Sequence, residues 1–413
     1  MVRRLRQEIY RLGSIDLWMA IAASAIAVLM SVTATAAQAQ TYTTLHKFTG
    51  PDGDYPAAGL SMDRAGNLYG TASQGGNFND CDGTGCGTVF KLEHKASGWI
   101  FSILYAFSGP DGEYPLDRVI LGPNGNLYGT TPSGGAYGDG VVFRLQPPST
   151  FCKSALCPWT ETVLHSFTGG SDGAIPDWGD LSFDQAGNIY GTTPGGGSSN
   201  CTGGCGVVYE LSPSNGGWTE TVLYSFQNGM DGANPSAGVI FDNAGNLYGT
   251  APGGRYGGLV YKLSPSAGGW VEATLANLQS SLPFGGLIFD SAGNLYGATL
   301  SPYGNGGPMV YELSPANGGW TLQEIYNFEG VEEGSHAQVT MDPAGNLYGT
   351  LVDGLPEVFR LTQEAGQWTL TGFNGGSGES PYGNVVLDAS GNLYTTASSG
   401  PVGYAGVVFE ITP

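Results

Sequence analysis

Positive charge is scarce in this 413-residue chain: Lys and Arg number 14 against 35 Asp and Glu, a formal net charge of −21. That shortage excludes nucleic acid and anionic lipid as principal partners, because too few cations are present to pair with phosphates or headgroups. Charge of either sign is thin at 12%, about half of the roughly 25% usual in globular domains, which argues against a helix-rich cytosolic enzyme. Histidine occurs four times, as His46, His94, His165 and His336. There is no HExxH, no P-loop, no dinucleotide fingerprint between strand and helix, and no GxSxG elbow beside a helix. Metalloprotease, phosphate-cradle and nucleophile-elbow chemistries therefore lack their local signatures. No cofactor, no metal and no catalytic residue is assigned. Glycine and proline are abundant instead, at 70 and 24 copies. They recur at regular intervals among 41% hydrophobic and 11% aromatic residues, as in a folded, turn-rich chain rather than a disordered one.

The first 39 residues read as a helical Sec-type signal peptide. Arg3, Arg4, Arg6 and Arg11 precede an uncharged stretch from Leu17 to Val32, and small residues end in Ala37-Gln38-Ala39, so cleavage is expected before Gln40. Length alone leaves a retained anchor open. A secreted or periplasmic protein, with no membrane contact after cleavage, is the expectation. The six cysteines form three close couples, Cys81 with Cys86, Cys152 with Cys157 and Cys201 with Cys205. In an oxidising compartment such couples close small loops as disulfides. Zinc binding would call for four ligands from CxxC or His elements, and these couples have longer gaps and no adjacent His.

Self-similarity governs everything from residue 40 onward. The segment AGNLYGT, or a close variant, places its Gly-Asn at Gly66, Gly125, Gly187, Gly245, Gly293, Gly345 and Gly391, in steps of 46 to 62 residues. Each copy lies in a unit of short β-branched and aromatic runs bounded by turn residues, clearest over residues 218–263, which predicts four strands per unit. In FDNAGNLYG, Asp242 is placed to accept hydrogen bonds from turn amides while Gly245 supplies a positive φ. Asp63, Asp184, Asp290, Asp342 and Asp388 repeat the carboxylate and Gly122 replaces it once. Trp99, Trp159, Trp218, Trp270, Trp320 and Trp368 open the same strand in successive units, as packing residues do.

A four-stranded unit of this length cannot bury both faces alone, so units must stack and close radially. An all-β, seven-bladed propeller of four-stranded antiparallel blades follows. The blades span about residues 57–107, 116–167, 178–226, 236–278, 284–328, 336–373 and 382–411, and an N-terminal strand at 42–48 closes the last one. A monomer is expected. The combination of GNLYGT with a following GVVF resembles the GloVer (Gloeo/Verruco) tandem repeat over about residues 41–413. That resemblance implies export and repetition, and no established reaction. The chain ends at Pro413 without the sorting tail of that family, so release rather than surface anchoring is expected. In architecture alone the pattern is also similar to NHL and lyase-type propellers.

Loop length separates the two ends of such a disc. The turns joining first to second strands and third to fourth strands are short and alike, so that face is expected to be structural. The remaining loops are long and varied, and surround the opposite channel mouth. There the repeat abandons its own consensus: Ala57 and Ser236 become Leu116, Trp178, Phe284, His336 and Tyr382, and two positions on glycine becomes Arg118, Asp180, Gln338 or Asn384. With Asp117, these residues make a candidate ring for a carbohydrate or protein ligand, since aromatic faces and polar groups converge there. Drift among exposed positions is the plain alternative. A lyase or hydrolase at the same mouth, with Asp117 and Asp180 as paired carboxylates beside Arg118 and His336, and a structural envelope component are the other readings. The acidic blade-joining loops with Asp52, Asp111, Asp172 and Asp231 are expected to be solvated rather than calcium-binding. His46 and His165 are expected to be packing residues.

Overall fold

The computed structural model describes residues 40–413 apart from 149–157, 256, 280, 301–306, 332–333, 335–337, 353–354, 374–379 and 399–404. The signal segment, Cys152, Cys157 and His336 lie outside the described residues. Seven four-stranded antiparallel sheets form, six of them running from an inner to an outer strand in chain order. The fourth is typical: Ile240–Phe241, Leu247–Ala251, Gly258–Ser266 and Gly269–Gln279. The last sheet pairs Thr41–Lys47 with Val407–Thr412, so the first strand of the chain completes the final blade.

Inner strands are shorter than their hydrophobic pattern predicts. Only two residues of the AGVIFD run enter the ladder, Ile240 opposite Tyr248 and Phe241 opposite Leu247. The residues before them spend their backbone groups on the neighbouring blade instead. Thr192 Oγ1 donates to the Ala237 carbonyl at 2.9 Å and Thr71 Oγ1 to the Asp117 carbonyl at 2.9 Å. Thr396 Oγ1 of the last blade donates to the Ala58 carbonyl of the first at 2.5 Å. These threonines belong to the repeated LYGT segments, so one sequence motif builds a girdle of inter-blade hydrogen bonds.

The apolar core is distributed between blades, as expected where no sheet hides its faces alone. One buried cluster lies at each junction. Leu127, Phe143 and Leu145 of the second blade meet Tyr69, Val89 and Phe107 from the first, and Phe48, Leu60 and Phe90 of the first meet Tyr394 and Val408 of the last. The repeated tryptophans pack at the edges of these clusters. Trp99 meets Tyr394 edge-on at 5.7 Å, and Trp320 meets Tyr248 at 6.1 Å. Close approach also fixes glycine at the start of third strands: a Cβ on Gly140 would lie 2.7 Å from Pro176 Cδ of the next blade.

The turn aspartates behave as their spacing predicts. Asp242 accepts from the Ala244 and Asn246 amides, from Asn246 Nδ2 and from Tyr248 Oη, at 2.7 to 3.0 Å. Burial by itself would raise this carboxyl, but the four hydrogen bonds outweigh it and hold it below its ordinary range. In the second blade the ring of Tyr128 fills the missing carboxylate's place, since a Cβ on Gly122 would lie 2.4 Å from Tyr128 Cε2.

Candidate functional site

Because the short turns join first to second strands, the starts of the inner strands sit at the opposite, long-loop end. A central cavity of about 110 Å³ opens there, and all seven blades contribute the same aligned position: Gly59, Arg118, Asp180, Gly238, Gly286, Gln338 and Asn384. Two of the large residues stand beside a neighbouring blade's glycine for a steric reason. A Cβ on Gly59 would lie 1.6 Å from Asn384 Oδ1, and one on Gly286 would lie 3.3 Å from Gln338 Nε2. Asn384 and Gln338 each lie over the glycine of an adjacent blade, so part of the departure from the repeat is packing.

Arg118 crosses the channel. Its Nε donates to Asp180 Oδ2 at 2.6 Å on the third blade, and its Nη2 donates to Gln338 Oε1 at 3.3 Å on the sixth. Gln338 is held in turn by the Leu287 carbonyl of the fifth blade, to which its Nε2 donates. The guanidinium is thereby matched inside the protein. Asp117 is buried beside it, where other blades carry Ala or Gly, and Thr130 Oγ1 donates to its Oδ2. Desolvation pushes the Asp117 carboxyl well above its ordinary range, and the nearby charges of Asp180 and Asp177 add to the rise. Its Oδ1 has no hydrogen bond of good geometry, and the backbone N–H of Gly179 acts on the carboxyl group to lower it in part.

Above this polar belt the aromatic rings gather. Trp178 and Tyr382, from blades on different sides of the channel, have centroids 6.3 Å apart with planes tilted by 32°, and Tyr55 stands 6.3 Å from Tyr382. Trp178 adopts φ of +56°, a left-handed conformation that is uncommon for a bulky residue. Chain length explains it. The joining proline precedes the turn position by seven residues in Pro56–Asp63, Pro115–Gly122, Pro235–Asp242, Pro283–Asp290 and Pro381–Asp388, but by eight in Pro176–Asp184. The extra residue makes a bulge that carries Trp178 to the mouth and turns Asp177 inward. The Asp177 Oδ1 is buried without a partner, and desolvation pushes that carboxyl up to about 7.

Of the ring predicted from sequence, Asp117, Arg118, Trp178, Asp180, Gln338, Tyr382 and Asn384 line this one cavity. Phe284 does not line it, although Gly286 two residues on does. His336 lies outside the described residues. Sequence reasoning missed Tyr55, which stands before the aligned segment, and Asp177, whose signal was the proline-to-aspartate spacing. Among the described residues no group of three or more His, Cys, Asp or Glu is arranged to hold a metal ion.

The structure adds detail to the expectations about loops and faces. The blade-joining aspartates are committed to capping their own loops: Asp52 accepts from the Thr49 amide and hydroxyl, and Asp111 accepts from the Ser108 amide and hydroxyl and from Tyr105 Oη. His46 and His165 stand where other blades have that tyrosine, and face Asp52 at 2.9 Å and Asp172 at 3.4 Å. They are therefore loop anchors as well as packing residues. The short-turn face is also less plain than its sequence implies. Open grooves of about 690 and 670 Å³ lie along the sixth and seventh blades, where the groove reaches inward to Arg118 and Asn384, and between the fifth and sixth blades. Two disulfides, Cys81–Cys86 and Cys201–Cys205, close loops on the long-loop face. They agree with an oxidising compartment, and no described helix is long and apolar enough to cross a membrane.

The sequence profile described as the Gloeobacter/Verrucomicrobia repeat matches residues 26–156, 84–287, 152–357 and 258–413. No curated protein matches the chain significantly. Among solved structures, a polysaccharide lyase of family PL25, an ulvan lyase bound to -[GlcA(1-4)Rha3S]-, superposes with a TM-score of 0.54 at 11% identity, covering 89% of this chain and 95% of its own. PorZ, a surface component of the type-IX secretion system of Porphyromonas gingivalis, gives a TM-score of 0.51 at 12% identity over 87% of this chain and 46% of its own. A gluconolactonase from Xanthomonas campestris gives 0.36 at 16% identity over 56% and 70%. At these identities the first two likenesses speak for the propeller fold alone, and the third carries no argument.

Proposed function

The chain belongs to the Gloeobacter/Verrucomicrobia repeat family, and from that premise we propose that it is an exported, non-catalytic module that binds a saccharide at the long-loop mouth of its channel. The observation that carries this reading is the gathering of Trp178, Tyr382 and Tyr55 over a polar belt. Flat apolar faces stack on the C–H faces of sugar rings, while amide and carboxyl groups meet hydroxyls. A cavity of about 110 Å³ falls well below the roughly 300 Å³ at which ligand pockets begin. A glycan therefore rests on the aromatic plate and dips single hydroxyl groups toward Arg118 and Asn384. The acidic groups of the floor, Asp117 and Asp180 beside Arg118, support a second reading, cleavage of the bound glycan.

Titration calorimetry of the mature chain against neutral oligosaccharides, with Trp178→Ala and Tyr382→Ala as variants, tests the proposal. At least a tenfold loss of affinity is expected in each variant. Unchanged affinity removes the platform, and release of new reducing or unsaturated ends during the titration replaces the binding reading with the enzymatic one.

A further inference from the structure

We infer that this mouth selects an uncharged glycan and rejects a uronic or sulfated one, an inference that rests on the saccharide reading and names its ligand class. Recognition of an anionic sugar needs a cation whose donors are free to form charge-assisted bonds. Arg118 is the one Lys or Arg among the residues that line the central cavity. Its Nε is bound to Asp180 at 2.6 Å and its Nη2 faces Gln338 at 3.3 Å. Gln338 is itself pinned by the Leu287 carbonyl, so four blades hold the guanidinium in place.

The groups around that pair point the same way. Asp117 and Asp177 interact electrostatically with one another, and Asp180 also acts on Asp117. An approaching carboxylate or sulfate thus meets a cation already paired with Asp180, with the buried carboxyl groups of Asp117 and Asp177 nearby. To take over the guanidinium's Nε it must displace Asp180, leaving that carboxylate without its partner. An uncharged sugar asks for no such exchange: its hydroxyls donate to Asp180 while the pair stays intact. The net charge of −21 repels a polyanion at longer range as well.

The test compares a neutral hexasaccharide, cellohexaose, with a uronic hexasaccharide, hexagalacturonate, on the mature chain by titration calorimetry at 20 and 200 mM salt. The wild-type protein is expected to bind cellohexaose at least tenfold more tightly and without salt dependence. Asp180→Asn unmasks Arg118, so hexagalacturonate binding should strengthen at least tenfold and become salt-sensitive, while the double variant Arg118→Gln with Asp180→Asn should return to the wild-type preference. Tighter binding of hexagalacturonate by the wild-type protein overturns this inference and leaves the saccharide reading standing. An Asp180→Asn variant that is folded by circular dichroism yet gains no affinity for hexagalacturonate also overturns it. Binding of neither sugar removes the saccharide reading, and the inference falls with it.

Discussion

At the scale of single residues the repeat writes its physics seven times over, and the departures are the informative part. Tyr209, Tyr261 and Tyr311 are fully buried with hydroxyls that have no hydrogen-bond partner, at a position that is Phe90, Phe143, Phe359 or Phe409 in the other blades. A buried hydroxyl without a partner costs about 1–3 kcal/mol, so Tyr261→Phe and Tyr311→Phe should leave stability unchanged or raise it by about 1 kcal/mol in urea denaturation. Destabilisation by a similar amount would reveal a hydrogen bond for those hydroxyls. Carboxyl groups set the pH response. Burial pushes Asp177, Glu161 and Glu220 up to about 7. Folded protein keeps these protons where the unfolded chain has lost them, so their contribution is complete below the ordinary carboxylate range and is lost as pH rises through 7. The turn residues Asp63, Asp242, Asp290, Asp342 and Asp388 are lowered, because hydrogen bonds outweigh burial. Their contribution is present above about pH 4 and lost below it. Thermal melts should therefore show maximal stability near about pH 5, with Tm several degrees lower at pH 8. A Tm that climbs from pH 5 to pH 8 would contradict this balance.

At the scale of elements, the strand that opens the described chain matters most. Thr41–Lys47 is the outer strand of the last blade, and His46 within it stacks on Phe101 of the first blade at 3.6 Å with planes 5° apart. One element therefore holds the last blade together and fastens it to the first. Deleting residues 41–47 should lower Tm by at least about 10 °C, a loss far beyond that of trimming an unpaired terminus, and calorimetry would read it directly. Equal stability of the shortened chain would mean that closure does not depend on this strand. The inner strands teach the opposite lesson. Their six-residue hydrophobic runs predict six paired residues, and only two pair, because the residues ahead of them turn their carbonyls to the threonines of the neighbouring blade. Local pattern identifies that a strand exists, whereas competition from an adjacent sheet decides where its ladder stops.

At the scale of the whole molecule, seven units with one buried cluster at every junction form a ring in which each sheet borrows half of its core from a neighbour. The sequence by itself determined the repeat count, the four strands per unit, the turn carboxylates and the closing strand, because each rests on local periodicity and on a surface that cannot be buried within one unit. It also determined which positions depart from the consensus at the channel mouth. The tertiary structure alone decided what those departures do. Asn384 and Gln338 lie over Gly59 and Gly286 of adjacent blades, Arg118 is matched by Asp180 and Gln338 from two others, and one inserted residue turns Asp177 inward and lifts Trp178 beside Tyr382. These partners are separated by up to 220 residues along the chain. Pairings across a closed ring depend on the angle at which distant blades meet, and that angle is a property of the packed assembly of sheets that no single segment carries.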